Sequence, residues 1–429
     1  MMWLNLAWRS AWSRKQALAM VMVSVSVSVL ILLGVQQLRE DAKRSFSNAL
    51  SGVDLIVGPR GSATELMLYS VFQIGRPSRN MGYEGYTALA QLPQVQWAVP
   101  IQLGDSYMGH PVLGSTPEIF TRFKSQGQGL QWAQGRAFAD PLTKPEALSE
   151  VVLGADVAKR FGHKLNDKLV LTHGQSSGLG TEHEDHPMTV VGILAPTGAP
   201  IDRSVIVSLQ AFEAIHVGWG MGISPSAFKA AGGAQQALDI KDLQPSSLSA
   251  VWVGLHNRAE VFSVRRKIEG LERGQLMAVM PGVALDELWQ IVKVVENTLL
   301  LVGMLVAVSA MFSVAAVLLV AMAGRRKELA ILRAMGAAPM ALMGFVLLES
   351  LLVCVVGIVA GYVLCQALLM AGQGILRTEF GVLVQAGWPA TQAWWALAGL
   401  CGVALVASLV PAWRAYRLSL SDGLHPPSV

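Results

Sequence analysis

A short histidine-rich window carries the residues best suited to metal chemistry. The sequence THGQSSGLGTEHEDHP contains His173, His183, Asp185 and His186. Imidazole and carboxylate groups together suit zinc, so these four residues are candidate ligands. The glycines and serines indicate a loop, in which distant ligands could converge. The spacing matches no standard zinc motif, and a polar surface loop is the alternative interpretation.

A basic segment lies between two long apolar runs. It reads GRRKELAILRAMGAAP and covers 324–339. Apolar spans flanked by cationic turns are typical of transmembrane helices joined on the cytoplasmic side. The segment is also long and patterned enough to be a helix, which a bare connection between two membrane helices would not need.

Glu349 is an ionisable residue inside the apolar run that follows this basic segment. A charge within a membrane span is costly, so such a residue is by default a functional candidate. Glu349 lies close to the predicted cytoplasmic end of its span. Pairing with Arg333 is therefore a structural alternative to a role in gating.

Composition places the chain among membrane proteins. It has 429 residues, of which 52% are hydrophobic and 14% charged, with a mean hydropathy of +0.45. Soluble domains carry about 25% charged residues. The formal net charge of +4 is small and lies mostly at helix ends, so it is weak evidence for nucleic-acid binding. The three cysteines all lie in C-terminal apolar segments, which excludes a disulfide framework. The external domain therefore contains no cysteine, as is suitable for a domain in an oxidising compartment.

Hydropathy and charge predict four spans with both termini in the cytoplasm. Basic clusters precede the first span and follow the second and fourth, and all three fall on one side only if there are four spans. The alternation VSVSVSV in the first span could indicate a strand, but its length and flanks favour a helix. The predicted segments are a cytoplasmic interfacial helix (1–15), transmembrane helix 1 (16–35), an external domain with stalk helices (36–293), transmembrane helix 2 (294–323), a cytoplasmic helix (324–338), transmembrane helix 3 (339–370), a short external loop (371–392), transmembrane helix 4 (393–411) and a cytoplasmic tail (412–429).

The external domain is predicted to be α+β, inserted between membrane helices 1 and 2. Apolar, strand-like runs begin near Val53, Val151, Lys168, Met188, Ser204 and Ser249. Helical stretches such as ADVAKRFG and AEVFSVRRKIEGLE lie between them. Residues 218–245 are rich in Gly, Ala and Ser and are predicted to be a flexible excursion.

Several motifs together resemble the MacB/FtsX family of ABC transporter permeases over nearly the whole chain. The basic segment is similar to the family motif that follows the second membrane helix. Leu348-Glu349-Ser350 resembles the family's membrane-embedded glutamate before a glycine-rich helix, and Pro411-Ala412-Trp413-Arg414-Ala415 resembles its C-terminal P-A-x-R-A pattern. Outside the membrane, Gly135-Arg136-Ala137-Phe138 and Leu153-Gly154 resemble the periplasmic domain.

The resemblance implies a non-catalytic subunit that works with a separate ATPase. The chain has no G-x-x-x-x-G-K-[ST] phosphate loop, so ATP would be bound by the partner and no cofactor directly by this chain. Two permease copies would pair in the bacterial inner membrane, with an adaptor or delivery protein in the periplasm. The basic residues could serve only to set the orientation of the chain in the membrane. That role would not explain the glutamate and the Leu/Ile pattern beside them. The residues implied to dock on the ATPase are Arg325, Arg326, Glu328, Leu329, Ile331, Leu332 and Arg333.

Two other functions stay open on the sequence. One is an FtsX-like regulator of a periplasmic partner such as a cell-wall hydrolase. The other is a zinc-linked transport accessory, which would use the histidine loop. The preferred interpretation is a MacB-like permease that transmits ATP-driven motion to the periplasm for export or extraction of a substrate.

Overall fold

The structure of the protein is a computed structural model. It describes residues 15–48, 51–125, 127–173, 186–217, 240, 243–271, 275–324, 335–380, 384, 387–388 and 391–417. The chain divides into two compact units. One comprises Lys43–Ile291 with Ile375–Leu383, and the other comprises Met1–Ala42, Val292–Gly374 and Val384–Val429. Each unit has its own buried apolar core.

The first unit is an α+β domain, as predicted. Its strands are β1 (Leu55–Pro59), β2 (Met81–Gly82), β3 (Val95–Tyr107), β4 (His110–Ser115), β5 (Lys124–Ser125), β6 (Gln128–Gly129), β7 (Trp132–Gly135), β8 (Glu150–Leu153), β9 (Lys168–Leu169), β10 (Thr172–His173), β11 (Met188–Leu194), β12 (Val205–Ser208), β13 (Ser247–Leu248), β14 (Ala250–Leu255) and β15 (Leu276–Val279). Its helices are α2 (Ala63–Ser70), α3 (Tyr83–Ala90), α4 (Ile119–Arg122), α5 (Ala155–Phe161), α6 (Leu209–Ala214) and α7 (Val261–Glu269), and short 3₁₀ turns occupy Pro145–Ser149, Pro200–Arg203 and Arg258–Glu260. All six strand-like runs of the sequence contain strands, and the run that begins at Lys168 is split into β9 and β10.

A mixed sheet organises this domain. Its strands follow the order β15-β1-β14-β3-β4-β12-β8-β11-β7, with β10 paired to β3 and β9 paired to β11. Most neighbours are antiparallel, whereas β4–β12 and β8–β11 are parallel. Both faces are covered: on β1, Leu55 and Val57 pack into one apolar cluster and Ile56 into another. A strand buried on both faces reads as a continuous apolar run, which is how β1 appears in the sequence.

The Gly-Arg-Ala-Phe motif is structural in this domain. Gly135 has a φ of +75°, and a Cβ there would lie 2.2 Å from the carbonyl oxygen of Val191, so only glycine fits. Arg136 forms a two-bond ion pair with Glu150. Phe138 is fully buried in the core. The motif therefore fixes the edge of the sheet at β7, β8 and β11.

The second unit contains four long helices in its described part, each long and apolar enough to cross a membrane. They are α1 (Lys15–Asn48), α8 (Pro281–Gly324), α9 (Pro339–Phe380) and α10 (Thr391–Arg417). One end of each of α1, α8 and α9 belongs to the first unit. The alternating VSVSVSV run is helical, as predicted. Large apolar side chains such as Phe312, at 68% exposed, cover the outside of this unit, as expected of a surface that faces lipid.

The helices extend further than the sequence indicated. Helix α9 continues to Phe380, so residues 371–380 are helical although 371–392 was predicted to be a loop. This stretch contains no proline, and Gly372 and Gly374 each cost only about 1 kcal/mol in a helix interior, which does not by itself end the helix. Helix α10 likewise continues through Pro411 to Arg417. Membrane helices tolerate an interior proline because neighbouring groups can satisfy the freed carbonyl.

Candidate functional site

The predicted docking segment lies between two helix ends that the structure defines. Helix α8 ends at Gly324 and α9 begins at Pro339, and Gly336, with a φ of +94°, forms part of the turn that precedes α9. Residues 325–334 lie outside the described residues. All seven candidate docking residues fall in that range, so their role stays a prediction.

Glu349 lies on α9 in the interior of the membrane unit. Its side chain is only 5% exposed. The next residue, Ser350, is fully buried and donates a hydrogen bond of 3.5 Å to the carbonyl oxygen of Ala404 on α10. One turn further along, Cys354 Sγ lies 3.9 Å from Cys401 Sγ. Glu349 therefore directly precedes, along the chain, a residue that contacts α10, and its predicted partner Arg333 lies beyond the described residues.

Helices α1 and α9 approach closely at two glycines. A Cβ on Gly357 would lie 2.7 Å from a methyl carbon of Val25, and one on Gly361 would lie 2.7 Å from the carbonyl oxygen of Ser26. The Ser26 hydroxyl lies 2.7 Å from the carbonyl oxygen of Met22 and 3.0 Å from that of Gly357, so it can donate to either. Small residues at such spacing allow membrane helices to pack backbone to backbone.

The sequence analysis did not identify Ser26 as a packing residue. The signal was present, because branched apolar residues on one face of α1 recur every four residues, at Val21, Val25, Val29 and Leu33, and all are buried. At Gly344, by contrast, an added Cβ would have no contact within 4 Å among the described residues.

The histidine window is only partly described. His173 ends β10, where its backbone pairs with that of Asp105 on β3. His186 is half-buried just before β11. His183 and Asp185 lie outside the described residues. Within the described ranges, no three His, Cys, Asp or Glu side chains are grouped so that they could hold a metal ion. Zinc binding by the complete window stays a prediction.

A buried histidine–aspartate pair lies beside this window. His216, just after α6, places Nε2 3.4 Å from Oδ1 of Asp105, whose side chain is fully buried. His216 Nδ1 lies 2.7 Å from the carbonyl oxygen of Phe212. Burial opposes the charged imidazole, but the bond to Asp105 and its negative charge outweigh that effect and raise the pKa of His216. The sequence did not reveal this pair, because Asp105 and His216 lie far apart along the chain.

Comparison with known proteins defines the family. The MacB-like periplasmic core domain family matches residues 17–270, and the FtsX-like permease C-terminal family matches residues 300–420. No curated protein matches the chain.

Two solved structures are similar in part. The periplasmic region of MacB from Actinobacillus actinomycetemcomitans is 10% identical, with a TM-score of 0.35, over 58% of this chain and 97% of its own length. The extracellular domain of the noncanonic ABC-type transporter YknZ from Gram-positive bacteria is 12% identical, with a TM-score of 0.31, over 53% of this chain and 98% of its own.

The chain belongs to the MacB/FtsX-like family of ABC transporter permeases. Members are transmembrane subunits that work with a cytoplasmic ABC ATPase. The four apolar helices and the family together make it a bacterial inner-membrane protein with a periplasmic domain. The first unit of the fold is that periplasmic domain.

Proposed function

We propose that this permease transmits ATP-driven motion from a separate cytoplasmic ATPase to its periplasmic domain, for export or extraction of a substrate. Residues 324–338 form the coupling helix that docks on the ATPase. Two copies pair, each with one ATPase, and both termini are cytoplasmic. The membrane helices need not line a channel, because the work is done in the periplasm.

The continuity of α8 carries this proposal. Ala284 and Leu285, in its first turns, are buried in the core of the periplasmic domain. Ala307 and Ala310 of the same helix are buried in the core of the membrane unit. The helix ends at Gly324, directly before the basic segment. An unbroken helix is stiff, so a push at the coupling segment has a direct mechanical route outward.

The match over residues 17–270 favours the transporter branch over an FtsX-like regulator. The two functions predict different periplasmic partners. A transporter should co-purify with a periplasmic adaptor or delivery protein, whereas a regulator should co-purify with a cell-wall hydrolase.

A charge exchange in the coupling segment tests the proposal. Glu328→Lys combined with Arg333→Glu leaves the net charge unchanged, so the topology signal is preserved. We expect normal membrane insertion but loss of ATPase co-purification and of coupled ATP hydrolysis. The matched control is Arg265→Glu with Glu269→Arg, which exchanges the 2.9 Å ion pair on α7 and should change neither. Full co-purification and activity in the Glu328/Arg333 variant would refute the docking role.

A further inference from the structure

Two cysteine side chains meet inside the membrane unit, and the proposed function uses neither of them. The sulfur atoms of Cys354 on α9 and Cys401 on α10 lie 3.9 Å apart. The two residues are separated by 47 positions along the chain, so only the packing of α9 against α10 brings them together. A single cysteine in such a contact can serve simply as a small apolar residue. Two thiols in contact can also react with each other.

A bond between the two sulfur atoms requires only a small movement. The sulfur atoms of a disulfide lie about 2.05 Å apart, so the two thiols must approach each other by about 2 Å. A change between staggered χ1 rotamers displaces a cysteine sulfur by about 3 Å. Side-chain rotation can therefore close the gap while the two helices stay in place.

Polar contacts on both sides of the thiol pair hold α9 and α10 together. Ser350, one turn before Cys354, donates a hydrogen bond to the carbonyl oxygen of Ala404 on α10. Two turns after Cys354, the hydroxyl of Tyr362 donates a 3.1 Å hydrogen bond to the carbonyl oxygen of Gly387, just before α10. The thiols cannot move far apart unless one of these contacts breaks, so the helix pair keeps them within reach of each other.

The two thiols differ in how easily an oxidant can reach them. Cys354 is fully buried, whereas Cys401 is only partly buried. Ala398 and Leu405, about one turn away from Cys401 on the same face of α10, are exposed on the apolar outside of the unit. A surface of this kind faces lipid, so an oxidant that dissolves in the bilayer can reach Cys401 more easily than a water-soluble one can.

We propose that Cys354 and Cys401 form a site of reversible oxidation, at which a quinone dissolved in the membrane converts the two thiols into a disulfide. Both S–H bonds break and one S–S bond forms. The two protons and two electrons pass to the quinone, which becomes a quinol, so atoms and charge balance. The disulfide fastens α9 to α10. Its formation is independent of the ATPase-coupling role, and the two can fail separately.

Oxidation of the full-length permease in a non-ionic detergent tests the proposal. The oxidant is decylubiquinone, and the remaining thiols are counted by mass spectrometry after denaturation and reaction with N-ethylmaleimide. The reduced protein should take up three labels and the oxidised protein one, at Cys365. Dithiothreitol should restore the full labelling. The oxidised protein should also unfold at a higher temperature, because a disulfide restricts the unfolded chain.

Cys365 provides the matched control on the same helix. It is also buried, but it faces α1, because its sulfur lies 3.9 Å from a Cβ added to Gly34. Cys365→Ser should still lose on oxidation both of the labels carried by Cys354 and Cys401. Cys354→Ser and Cys401→Ser should lose none, and their unfolding temperatures should not respond to the quinone.

Four outcomes would overturn the inference. Full labelling of the wild type after oxidation would show that the two thiols do not react. Loss of labels in Cys354→Ser would show that another pair of thiols is oxidised. A disulfide-linked dimer on a non-reducing gel would place the bond between two copies instead of between α9 and α10. An unchanged unfolding temperature in the oxidised wild type would show that the bond does not fasten the helices.

Discussion

Side-chain size decides how α1 packs on α9. Ser26 supplies a polar contact between the two helices, and Gly357 and Gly361 make room for it. In lipid, hydrophobicity does not drive helices together, so close packing and hydrogen bonds must do so. A single methyl group added at Gly357 or Gly361 should therefore destabilise the contact between α1 and α9.

Gly361→Ala should destabilise the membrane unit by about 1–3 kcal/mol, since the new Cβ would overlap the backbone of α1. Gly344→Ala on the same helix meets no atom within 4 Å. It should be neutral or stabilise by about 0.5–1 kcal/mol, because alanine loses less backbone entropy in a helix. Unfolding of both variants in detergent gives the comparison. Equal effects at the two sites would contradict the α1–α9 contact.

The pair of His216 and Asp105 should make the periplasmic domain sensitive to pH. The pKa of His216 is raised in the fold, so protonated His216 stabilises the domain. That stabilisation is complete below the ordinary histidine pKa of about 6.5 and is lost as the pH rises through the raised value. The unfolding temperature of the domain should therefore fall as the pH rises above about 6.5.

His216→Gln should reduce this pH dependence, and Asp105→Asn should do the same. His256→Gln is the matched control, because His256 is exposed and its loss should leave the dependence intact. An unchanged pH profile in His216→Gln would refute the assignment.

Among the helices, α1 and α8 are joined by an ion pair as well as by packing. Arg39 on α1 contacts Glu296 on α8 at 2.9 Å, and the glutamate side chain is only 10% exposed. Leu32 of α1 also packs near Gly303 of α8, where an added Cβ would lie 3.2 Å from it. These contacts join α1 and α8 within the membrane unit.

Exchange of this ion pair tests the coupling of the two helices. Arg39→Glu alone places two carboxylates in contact and should destabilise the membrane unit by about 1 kcal/mol. Adding Glu296→Arg restores the opposite charges and should recover most of the loss. Thermal unfolding of the purified permease measures both. Failure of the double exchange to recover stability would show that the ion pair does not join the helices.

In the whole molecule, the predicted topology places the ATPase-docking segment in the cytoplasm and the α+β domain in the periplasm. Residues 36–293 contain no cysteine, and Cys354 and Cys365 are buried. Single introduced cysteines can therefore be labelled against a low background.

Leu142→Cys, at a position 52% exposed in the periplasmic domain, should react with a membrane-impermeant maleimide in intact cells whose outer barrier is permeabilised. Ala337→Cys, near the end of the basic segment, should react only after the inner membrane is opened. Labelling of Ala337→Cys from outside would reverse the predicted orientation.

Sequence patterns were sufficient for the number of membrane-spanning helices and for the α+β character of the inserted domain, and the resemblance of its motifs was sufficient for the family. These follow from local patterns: apolar length reports membrane crossing, and buried strands read as apolar runs. Local patterns do not separate Gly344 from Gly357 and Gly361, because all three are small residues on one helix.

Which of these residues meet depends on the folded chain, which brings Gly357 and Gly361 against α1 and places His216 beside Asp105. It also carried α9 past its expected end to Phe380. Periodicity reports that a face is buried, but the partner of that face depends on contacts between distant segments, which form only when the chain packs.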